Sequence, residues 1–260
     1  MIPQTIHYCW FGKKRKTKLI KDCIKSWKKY CPDFEIIEWN EKNTDLSIPF
    51  VQEAYQAKKW AFVADYIRLK VLFEQGGIYL DTDMMLLKPL DIFLNNDCFF
   101  GAEEAQIISC GIIGADKHNK FIQNCLSRYE MIDISSKIEW RDFIITKLIT
   151  DAFRIKYNFK ESVDIKKYEE ITIYPPEFFY PLPFNNDDVA NYKMYIKPKS
   201  YAVHLWVGSW IVHNEFNFLR NREYLKGGKI IFSNILSGNV NLKYMRKILS
   251  SLKQSLWKKS

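Results

Sequence analysis

One stretch in the first third of the chain constrains the fold more than any other. Apolar residues recur at helical spacing over 60–75, and Gly76 and Gly77 then stop the helix, as a cap with a left-handed backbone would. A short apolar run follows and ends at Asp81 and Asp83. A helix, a glycine stop and a buried strand that ends in two carboxylates predict an α/β fold.

The beginning of the chain supports the same fold class. Alternating residues over 4–11 predict a strand, 17–30 has a helical period with lysines opposite the apolar face, and 34–39 predicts a second strand. A strand–helix–strand opening indicates a parallel sheet covered by helices. Further helices are predicted over 117–131 and 139–157.

The two carboxylates, Asp81 and Asp83, are the most informative residues. The pattern predicts one strand over 78–87, in which side chains two apart point to the same face. Two carboxylates on one face repel each other unless a cation lies beside them. Mg²⁺ and Mn²⁺ prefer such oxygens and commonly bridge them to a diphosphate. The pair therefore predicts a divalent-metal site at a strand end, with a solvated turn as the alternative.

The predicted helix before this strand carries a second candidate pair. Asp65 and Arg68 are three residues apart, so they share a helix face. A surface ion pair is the ordinary interpretation of that spacing. The start of this helix is apolar on several sides, however, which favours a pair that faces a polar cleft.

Three further polar residues have two open interpretations each. His204 would suit Mn²⁺ as well as a carboxylate does, or it is a hydrogen-bonded histidine in a strand. Glu103 and Glu104 follow an apolar strand. They either line an acceptor pocket or lie on the surface.

Three ordered blocks resemble glycosyltransferase family 32, which has a DXD-containing sugar-binding region. The longest block is 60–83, the opening block is 2–12, and 204–210 is similar to the family's C-terminal His-x-x-x-x-Ser-Trp element. The segment 116–199 matches nothing firmly. At 109–111 this chain has Ser-Cys-Gly where many relatives carry an asparagine, which leaves a polar contact there open. The family includes bacterial capsular and other surface-polysaccharide transferases.

The resemblance implies a GT-A fold, a Rossmann-like mixed sheet flanked by helices. It also implies a hexosyltransferase that takes a hexose or N-acetylhexosamine from a nucleotide-sugar donor, uses Mn²⁺ or Mg²⁺ and retains the anomeric configuration. A UDP-sugar is the donor expected for bacterial members, and GDP-mannose is used among eukaryotic relatives. The expected acceptor is a glycan, lipid-linked in one version, in surface-polysaccharide synthesis. Since no nucleophile is evident, front-face transfer is expected.

The resemblance also assigns roles to individual residues. Asp65 and Arg68 would hydrogen-bond the donor sugar and act in catalysis together with Trp210. Asp83 would ligate the metal directly, and Asp81 would contact the ribose and the metal. The remaining assignments are Trp10 near the nucleobase, His204 at the metal or diphosphate, and Ser209 and Trp210 at the leaving phosphate.

The net charge of +9 is confined to one end of the chain. Residues 220–260 carry ten basic side chains and one acid, which leaves 1–219 neutral overall. We therefore predict a catalytic domain over 1–219 and a basic tail over 220–260.

The tail is predicted to form an amphipathic helix. The apolar residues on one face are Leu242, Met245, Ile248, Leu249, Leu252, Leu256 and Trp257. The basic residues on or beside the other face are Lys243, Arg246, Lys247 and Lys253. Such a helix suits an anionic membrane surface. Packing on the catalytic domain or dimerisation is the alternative.

Cysteine usage and hydropathy predict a cytoplasmic protein. The six cysteines form no CxxC pair and have no zinc-ligand spacing, which indicates reduced, buried thiols. The chain opens without the basic start and long apolar run of an export signal. No apolar stretch approaches the ~20 residues of a membrane span. We expect a location in the cytoplasm, peripheral on the inner face of the cell membrane, with the oligomeric state left open.

Two other function classes share part of the pattern. A haloacid-dehalogenase-like phosphatase also places an aspartate in a D-x-D after an apolar strand, but its motif normally opens the chain. A basic, aromatic-rich module could bind nucleic acid or a membrane without catalysis. The aromatic residues here follow strand-like patterns and are not interleaved with arginines, so no nucleic-acid partner is expected.

Overall fold

A computed structural model of the chain describes residues 1–133, 138–184, 189–207, 215–220, 222–238 and 240–257. The chain divides into two compact units, Met1–Val207 and Gly208–Ser260. The functional boundary that the charge pattern places between residues 219 and 220 stays a prediction.

The first unit contains two β-sheets. Its strands are β1 (Thr5–Cys9), β2 (Glu35–Trp39), β3 (Gly77–Leu80), β4 (Met84–Leu86), β5 (Cys98–Glu104), β6 (Ile107–Ala115), β7 (Lys166–Tyr168), β8 (Ile171–Tyr174) and β9 (Ala202–His204). Within the described ranges, the larger sheet has the order β2-β1-β3-β6-β5-β8-β7, and β4 pairs with β9 in a small sheet. The larger sheet is mixed, because β1 pairs in parallel with β2 and β3, β5 pairs in parallel with β8, and the other neighbours are antiparallel.

Helices cover this sheet. They are α1 (Lys18–Tyr30), α2 (Pro49–Gln56), α3 (Trp60–Gln75), α4 (Lys120–Glu130), α5 (Ile145–Tyr157) and α6 (Pro176–Phe179). Side-chain N-caps fix the first residues of α1 and α4. The Thr17 side chain accepts from the Ile20 N–H, and the Asn119 side chain accepts from the Phe121 N–H. The predicted α/β fold, a mixed sheet flanked by helices, is confirmed.

The strand order creates a crevice for a ligand. β1 pairs in parallel with β2 on one side and with β3 on the other, so the chain reverses its direction across the sheet at β1. In open α/β sheets, ligands bind outside the carboxyl ends of the strands at such a point. Here those ends are Cys9 and Leu80, and the residues that follow them carry the predicted site.

The prediction of one continuous strand over 78–87 is wrong at the two carboxylates. β3 ends at Leu80, and the chain turns with a hydrogen bond of 2.9 Å from the Met84 N–H to the carbonyl of Asp81. β4 then leaves the large sheet, and its Met84 pairs opposite His204 of β9. The larger sheet also holds this turn, because the Asp81 N–H donates to the carbonyl of Gly111 in β6 at 2.8 Å.

The two glycines before β3 are required by backbone conformation and by space. Gly76 has φ 69° and Gly77 has φ 107°, so the predicted positive φ is confirmed. A Cβ on Gly77 would lie 2.8 Å from the carbonyl oxygen of Thr5 and 2.9 Å from Nε2 of His7. The close approach of this turn to β1 therefore needs glycine.

The second unit contains α7 (Glu215–Arg220), α8 (Tyr224–Leu236) and α9 (Leu242–Trp257). α8 and α9 run antiparallel, because Tyr224 hydrogen-bonds Ser255 at 3.1 Å and Asn234 donates to Tyr244 at 2.8 Å.

Some residues of the predicted apolar face of α9 are buried in the small core of this unit, and others are exposed. Ile248 is buried against Phe216 and Leu219 of α7, and Leu252 packs beside them. Leu242, Met245 and Leu249 are exposed, while the side chains of Leu256 and Trp257 lie outside what the structure describes. Part of the face predicted to meet a membrane is therefore used inside the unit.

Two other sequence expectations concern the whole chain. All six cysteines are buried free thiols, as predicted. Among the described helices, none combines the length and the apolar character that a membrane span requires.

Candidate active site

α3 brings a buried ion pair to the crevice beyond β1 and β3. Nη2 of Arg68 lies 2.8 Å from Oδ1 of Asp65 and 3.4 Å from Oδ1 of Asp81. The Arg68 and Asp65 side chains are only 6% and 9% exposed. The structure thus connects the predicted sugar-binding pair directly to the first carboxylate of the DXD motif. A role of the pair in holding the sugar stays a prediction.

Arg68 is held from several further directions. Its Nε donates to the carbonyl of Ala64 at 3.3 Å, and its Nη1 donates to the carbonyl of Cys110 at 2.6 Å. The guanidinium lies 4.6 Å from the centre of the Tyr79 ring, a cation–π arrangement. The Tyr79 hydroxyl donates to Oδ1 of Asp81 at 3.2 Å. Arg68 and Tyr79 together fix the orientation of the Asp81 carboxylate.

Burial and the Arg68 guanidinium act in opposite directions on the Asp65 carboxyl group. Burial raises the pKa of Asp65 to about 7, although the guanidinium of Arg68 acts in the opposite direction. The backbone N–H of Ile145, at the start of α5, also lowers the pKa of this carboxyl group. Without Arg68, a carboxylate this deeply buried would take up a proton.

Asp81, Asp83 and His204 form a cluster that fits a divalent metal. One ligand atom of each lies within 4.8 Å of those of the other two. Two carboxylates and one imidazole are ligands that Mn²⁺ accepts, and Mg²⁺ accepts the carboxylates. Nδ1 of His204 is buried and has no hydrogen-bond partner among the described residues. An unsatisfied ring nitrogen beside two carboxylates is a feature that a ligand or metal site explains.

The electrostatics of the cluster favour a cation. Nε2 of His204 lies 3.0 Å from Oδ1 of Asp83, and the Val207 N–H donates to Oδ2 at 2.8 Å. Burial alone would lower the pKa of His204, but the charges of Asp83, Asp81 and Glu103 raise it. For Asp83 the directions are reversed, because burial alone would raise its pKa and the charge of His204 lowers it. Carboxylates therefore surround the imidazole, and this negative surrounding attracts positive charge.

An irregularity in the β5–β6 ladder places two backbone carbonyls beside Arg68 and Asp81. Phe100 pairs with Ile113, but the next residue, Gly101, pairs with Ser109, so 110–112 leave the ladder with β5. Bulges of this kind redirect the backbone beside active sites. The freed carbonyl of Cys110 accepts from Arg68, and that of Gly111 accepts from the Asp81 N–H. A Cβ on Gly111 would lie 3.3 Å from Oδ2 of Asp81.

Residues 109–111, where many relatives carry an asparagine, offer backbone atoms to the site. The carbonyls of Cys110 and Gly111 make the polar contacts described above. The Ser109 side chain is buried. The polar contact that the sequence leaves open stays open.

Two residues of the site, Tyr79 and Tyr180, were not recognised as site residues from the sequence. The Tyr180 hydroxyl accepts from the Ile112 N–H at 3.0 Å. The Tyr180 ring centre lies 5.9 Å from that of His204. Tyr79 could have been inferred from its position two residues before Asp81. Nothing in the proline- and tyrosine-rich segment around Tyr180 signals its role.

The remaining predicted site residues are only partly placed. Trp10 directly follows β1, at the same sheet edge as Asp81, and its Nε1 donates to the carbonyl of Lys14 at 2.7 Å. Its side chain is half-buried, and contact with a nucleobase stays a prediction. Ser209 and Trp210 lie outside the described residues, so their assigned contacts stay predictions as well.

The chain is similar to several known glycosyltransferases. It is 25% identical over 164 residues to human lactosylceramide 4-alpha-galactosyltransferase, covering 60% of this chain and 44% of the relative. It is 24% identical over 161 residues to human alpha-1,4-N-acetylglucosaminyltransferase, covering 57% and 44%. It is 33% identical over 105 residues to the initiation-specific alpha-1,6-mannosyltransferase of Saccharomyces cerevisiae, covering 35% and 21%. The matched part of the chain thus spans less than half the length of each of these three relatives.

Solved structures of glycosyltransferases also resemble the chain at low sequence identity. The PaToxG glycosyltransferase aligns with a TM-score of 0.48 and 19% identity, over 60% of this chain and 70% of that one. The galactosyltransferase LgtC aligns with a TM-score of 0.41 and 12% identity, over 94% and 99%.

A family match covers the part of the chain that holds both the ion pair and the two carboxylates. Residues 17–100 match the family described as "Glycosyltransferase sugar-binding region containing DXD motif". Residues 17–100 are therefore similar to the sugar-binding region of the DXD-containing glycosyltransferases, in agreement with the resemblance.

Proposed function

We propose that this protein is a metal-dependent glycosyltransferase that moves a hexose or an N-acetylhexosamine from a UDP-sugar to a glycan acceptor. The observation that carries the proposal is the cluster of Asp81, Asp83 and His204, which lies beside the Asp65–Arg68 ion pair. The cluster and the pair share Asp81, which Arg68 contacts. A site for a diphosphate and its metal is thus continuous with a site for the attached sugar.

The residues of the site divide the work on the donor. Asp81, Asp83 and His204 would hold a Mn²⁺ or Mg²⁺ ion, which neutralises charge on a diphosphate leaving group. Asp65 accepts hydrogen bonds from sugar hydroxyls, and Arg68 keeps both Asp65 and Asp81 oriented. Trp10, at the same edge of the sheet, offers an indole face to the nucleobase. Trp210 and Ser209 complete the proposed contacts at the leaving phosphate.

Retention of configuration is part of the proposal. The relatives described above are named as alpha-transferases, and the common nucleotide hexoses carry their sugar in the α configuration. An α product from an α donor requires retention. Front-face transfer achieves retention without a covalent intermediate. We further propose that the acceptor belongs to surface-polysaccharide synthesis, for which lipid-linked glycans are suitable substrates.

A thermal-shift screen of nucleotide sugars, with Mn²⁺ and with EDTA, tests this function. A ligand at about 100 times its dissociation constant stabilises the folded state by about 2.7 kcal/mol. For a domain of this size, that corresponds to a rise in melting temperature of roughly 5–10 °C. We expect this rise for UDP and UDP-sugars with Mn²⁺ only. A phosphatase would instead hydrolyse p-nitrophenyl phosphate, and a nucleic-acid-binding protein would respond to an oligonucleotide and ignore the sugars.

The second unit supports a proposal about location. Leu225, Phe232 and Leu236 are exposed on α8, and their spacing places them on one face of that helix. Lys226 and Lys229 lie on the same helix and are exposed. Exposed apolar side chains among lysines suit an anionic lipid surface, where each basic residue contributes about 1 kcal/mol. We propose that this unit holds the enzyme on the cytoplasmic face of the cell membrane.

Co-sedimentation with vesicles tests the location. The full-length protein should sediment with phosphatidylserine vesicles at low salt and should dissociate at high salt, because its basic residues are then screened. Leu225→Ser combined with Phe232→Ser should abolish binding. Met131→Ser, which removes an exposed methionine from the first unit, should leave binding unchanged. Equal and weak binding of all proteins to anionic and neutral vesicles would contradict the location.

A further inference from the structure

The backbone of Trp206 adopts a conformation that bulky residues rarely occupy. Trp206 lies two residues beyond β9, and its φ is 47°. At that angle the Cβ of an L-residue crowds its own backbone, so an aromatic residue there costs free energy. Such residues persist only where the surrounding contacts hold them, and they cluster at active sites. His204, a member of the metal cluster, is only two positions earlier in the chain.

The bend at Trp206 directs a backbone donor at the Asp83 side chain. The Leu205 N–H donates to the backbone carbonyl of Asp83 at 3.0 Å, which continues the pairing of β4 with β9. The same antiparallel register, if extended, would bring the Val207 N–H to Asp81. Instead, the Val207 N–H donates to Oδ2 of Asp83 at 2.8 Å. The positive φ of Trp206 therefore lets two N–H groups reach a single aspartate.

The indole of Trp206 packs directly on the imidazole of His204. The two ring centres are 3.9 Å apart, and the ring planes are inclined at 46°. Nε1 of Trp206 donates to the carbonyl of Leu182 at 2.8 Å, which anchors the indole to a neighbouring segment. Only Nε2 of the imidazole has a hydrogen-bond partner among the described residues, Oδ1 of Asp83. Contact with the anchored indole therefore limits the rotation of an imidazole that has a single hydrogen bond.

We propose that Trp206 is a positioning residue of the metal site. Its left-handed backbone aims the Val207 N–H at Asp83, and its indole holds the His204 imidazole beside the carboxylates. This inference rests on the proposed metal-dependent function. Groups outside the ligand shell ordinarily orient metal ligands by hydrogen bonds, and their loss weakens metal binding. In this protein a strained turn and the packing of two rings share that role with hydrogen bonds.

Three substitutions of Trp206 separate the effect of its ring from that of its backbone. Trp206→Ala removes the indole and leaves a Cβ at positive φ, whereas Trp206→Gly removes the indole and accepts this φ. Trp206→Phe keeps an aromatic ring. Trp140→Ala is the matched control, because Trp140 is also half-buried and packs on Phe62, with ring centres 5.0 Å apart. The Mn²⁺ affinity of each protein is measured by EPR in the presence of UDP, together with its melting temperature.

Mn²⁺ binding should weaken when the indole is lost. Loss of a group that orients a metal ligand typically costs 10–100-fold in affinity, so Trp206→Ala and Trp206→Gly should raise the Kd for Mn²⁺ by roughly that factor. Trp206→Gly should melt at the higher temperature of the two, because glycine accepts a positive φ, and yet bind Mn²⁺ no more tightly. Trp206→Phe and Trp140→Ala should stay close to the wild-type Kd. Pulsed EPR should detect nitrogen coupling from the His204 imidazole in the wild type and in Trp206→Phe, and weaker coupling in Trp206→Ala.

Three outcomes would overturn the inference. Trp206→Ala and Trp206→Gly could bind Mn²⁺ as tightly as the wild type does. The Mn²⁺ affinity could instead follow the melting temperature across the variants, which would make the role of Trp206 structural only. The wild type could also bind Mn²⁺ and UDP without nitrogen coupling, which would leave no imidazole to orient. Failure of the wild type to bind UDP with Mn²⁺ is a different result, since it contradicts the proposed function itself.

Discussion

Asp83→Asn should reduce sugar transfer at least about 10³-fold, equivalent to about 4 kcal/mol of transition-state stabilisation. The amide keeps the shape of the side chain and can still accept from the Val207 N–H, which Asp83 does at 2.8 Å. It lacks the negative charge that a divalent ion requires from this ligand. The protein should therefore fold normally and lose metal-dependent activity. Initial rates with a UDP-sugar and Mn²⁺, together with a thermal melt, measure both effects.

Asp91→Asn is the matched control, because it removes the charge of an exposed aspartate on the short 3₁₀-helix Asp91–Phe93. Its activity should equal that of the wild type. EDTA should inactivate the wild type to the same degree as Asp83→Asn, and added Mn²⁺ should restore only the wild type. Full activity of Asp83→Asn would remove Asp83 from the metal site.

Asp65→Asn is expected to have the second-largest effect, on both stability and transfer. It leaves the buried Arg68 guanidinium without the partner that now lies 2.8 Å away. Breaking a buried ion pair from one side costs about 3–5 kcal/mol of stability. A lost hydrogen bond to a charged group costs about 1–3 kcal/mol. We therefore expect kcat/KM for the donor to fall by roughly 10–100-fold, while the affinity for UDP with Mn²⁺ changes less than about threefold.

Glu74→Gln supplies the control on the same helix. Glu74 forms an exposed ion pair with Lys70 on α3, and such surface pairs contribute at most about 1 kcal/mol. Neither stability nor activity should change measurably. An equal loss of UDP affinity and donor turnover in Asp65→Asn would show that the ion pair positions Asp81 and does not contact the sugar.

The elements that local patterns determine were predictable from the sequence. α1 and α3 follow the 3.6-residue period of apolar residues, and Gly76 needs the positive φ that the glycine pair predicts. The parallel pairing of β1 with β2 follows from the strand–helix–strand order. Asp65 and Arg68 share a face because they are three residues apart. The helices, the glycine turn and the shared helix face depend on residues within one or two helical turns, and the pairing of β1 with β2 depends on the order of neighbouring elements.

The features that depend on distant pairing were not predictable in the same way. The strand expected over 78–87 breaks because Met84 pairs with His204, more than a hundred residues away. Tyr180 reaches the site through a bond to the Ile112 backbone. The bulge at Glu103 exists only relative to β6. Sequence periodicity carries no information on such register changes.

The tail illustrates a different limit. Helical spacing predicts one apolar face on α9, and the helix is present. Periodicity does not reveal how much of an apolar face is covered by the protein itself. α7 takes up Ile248, while Leu225 and Phe232 of α8 remain exposed. The residues proposed to contact lipid therefore lie partly on a helix that the charge pattern alone did not single out.

Calorimetric titration of UDP into the wild-type protein, with Mn²⁺ and with EDTA, tests the metal-dependent donor site most directly. If Asp81, Asp83 and His204 hold an ion that bridges to the diphosphate, UDP should bind at least about tenfold more tightly with Mn²⁺, a difference of about 1.4 kcal/mol. The Asp83→Asn protein should lose this difference. Equal UDP affinity in Mn²⁺ and in EDTA would contradict the metal-dependent site.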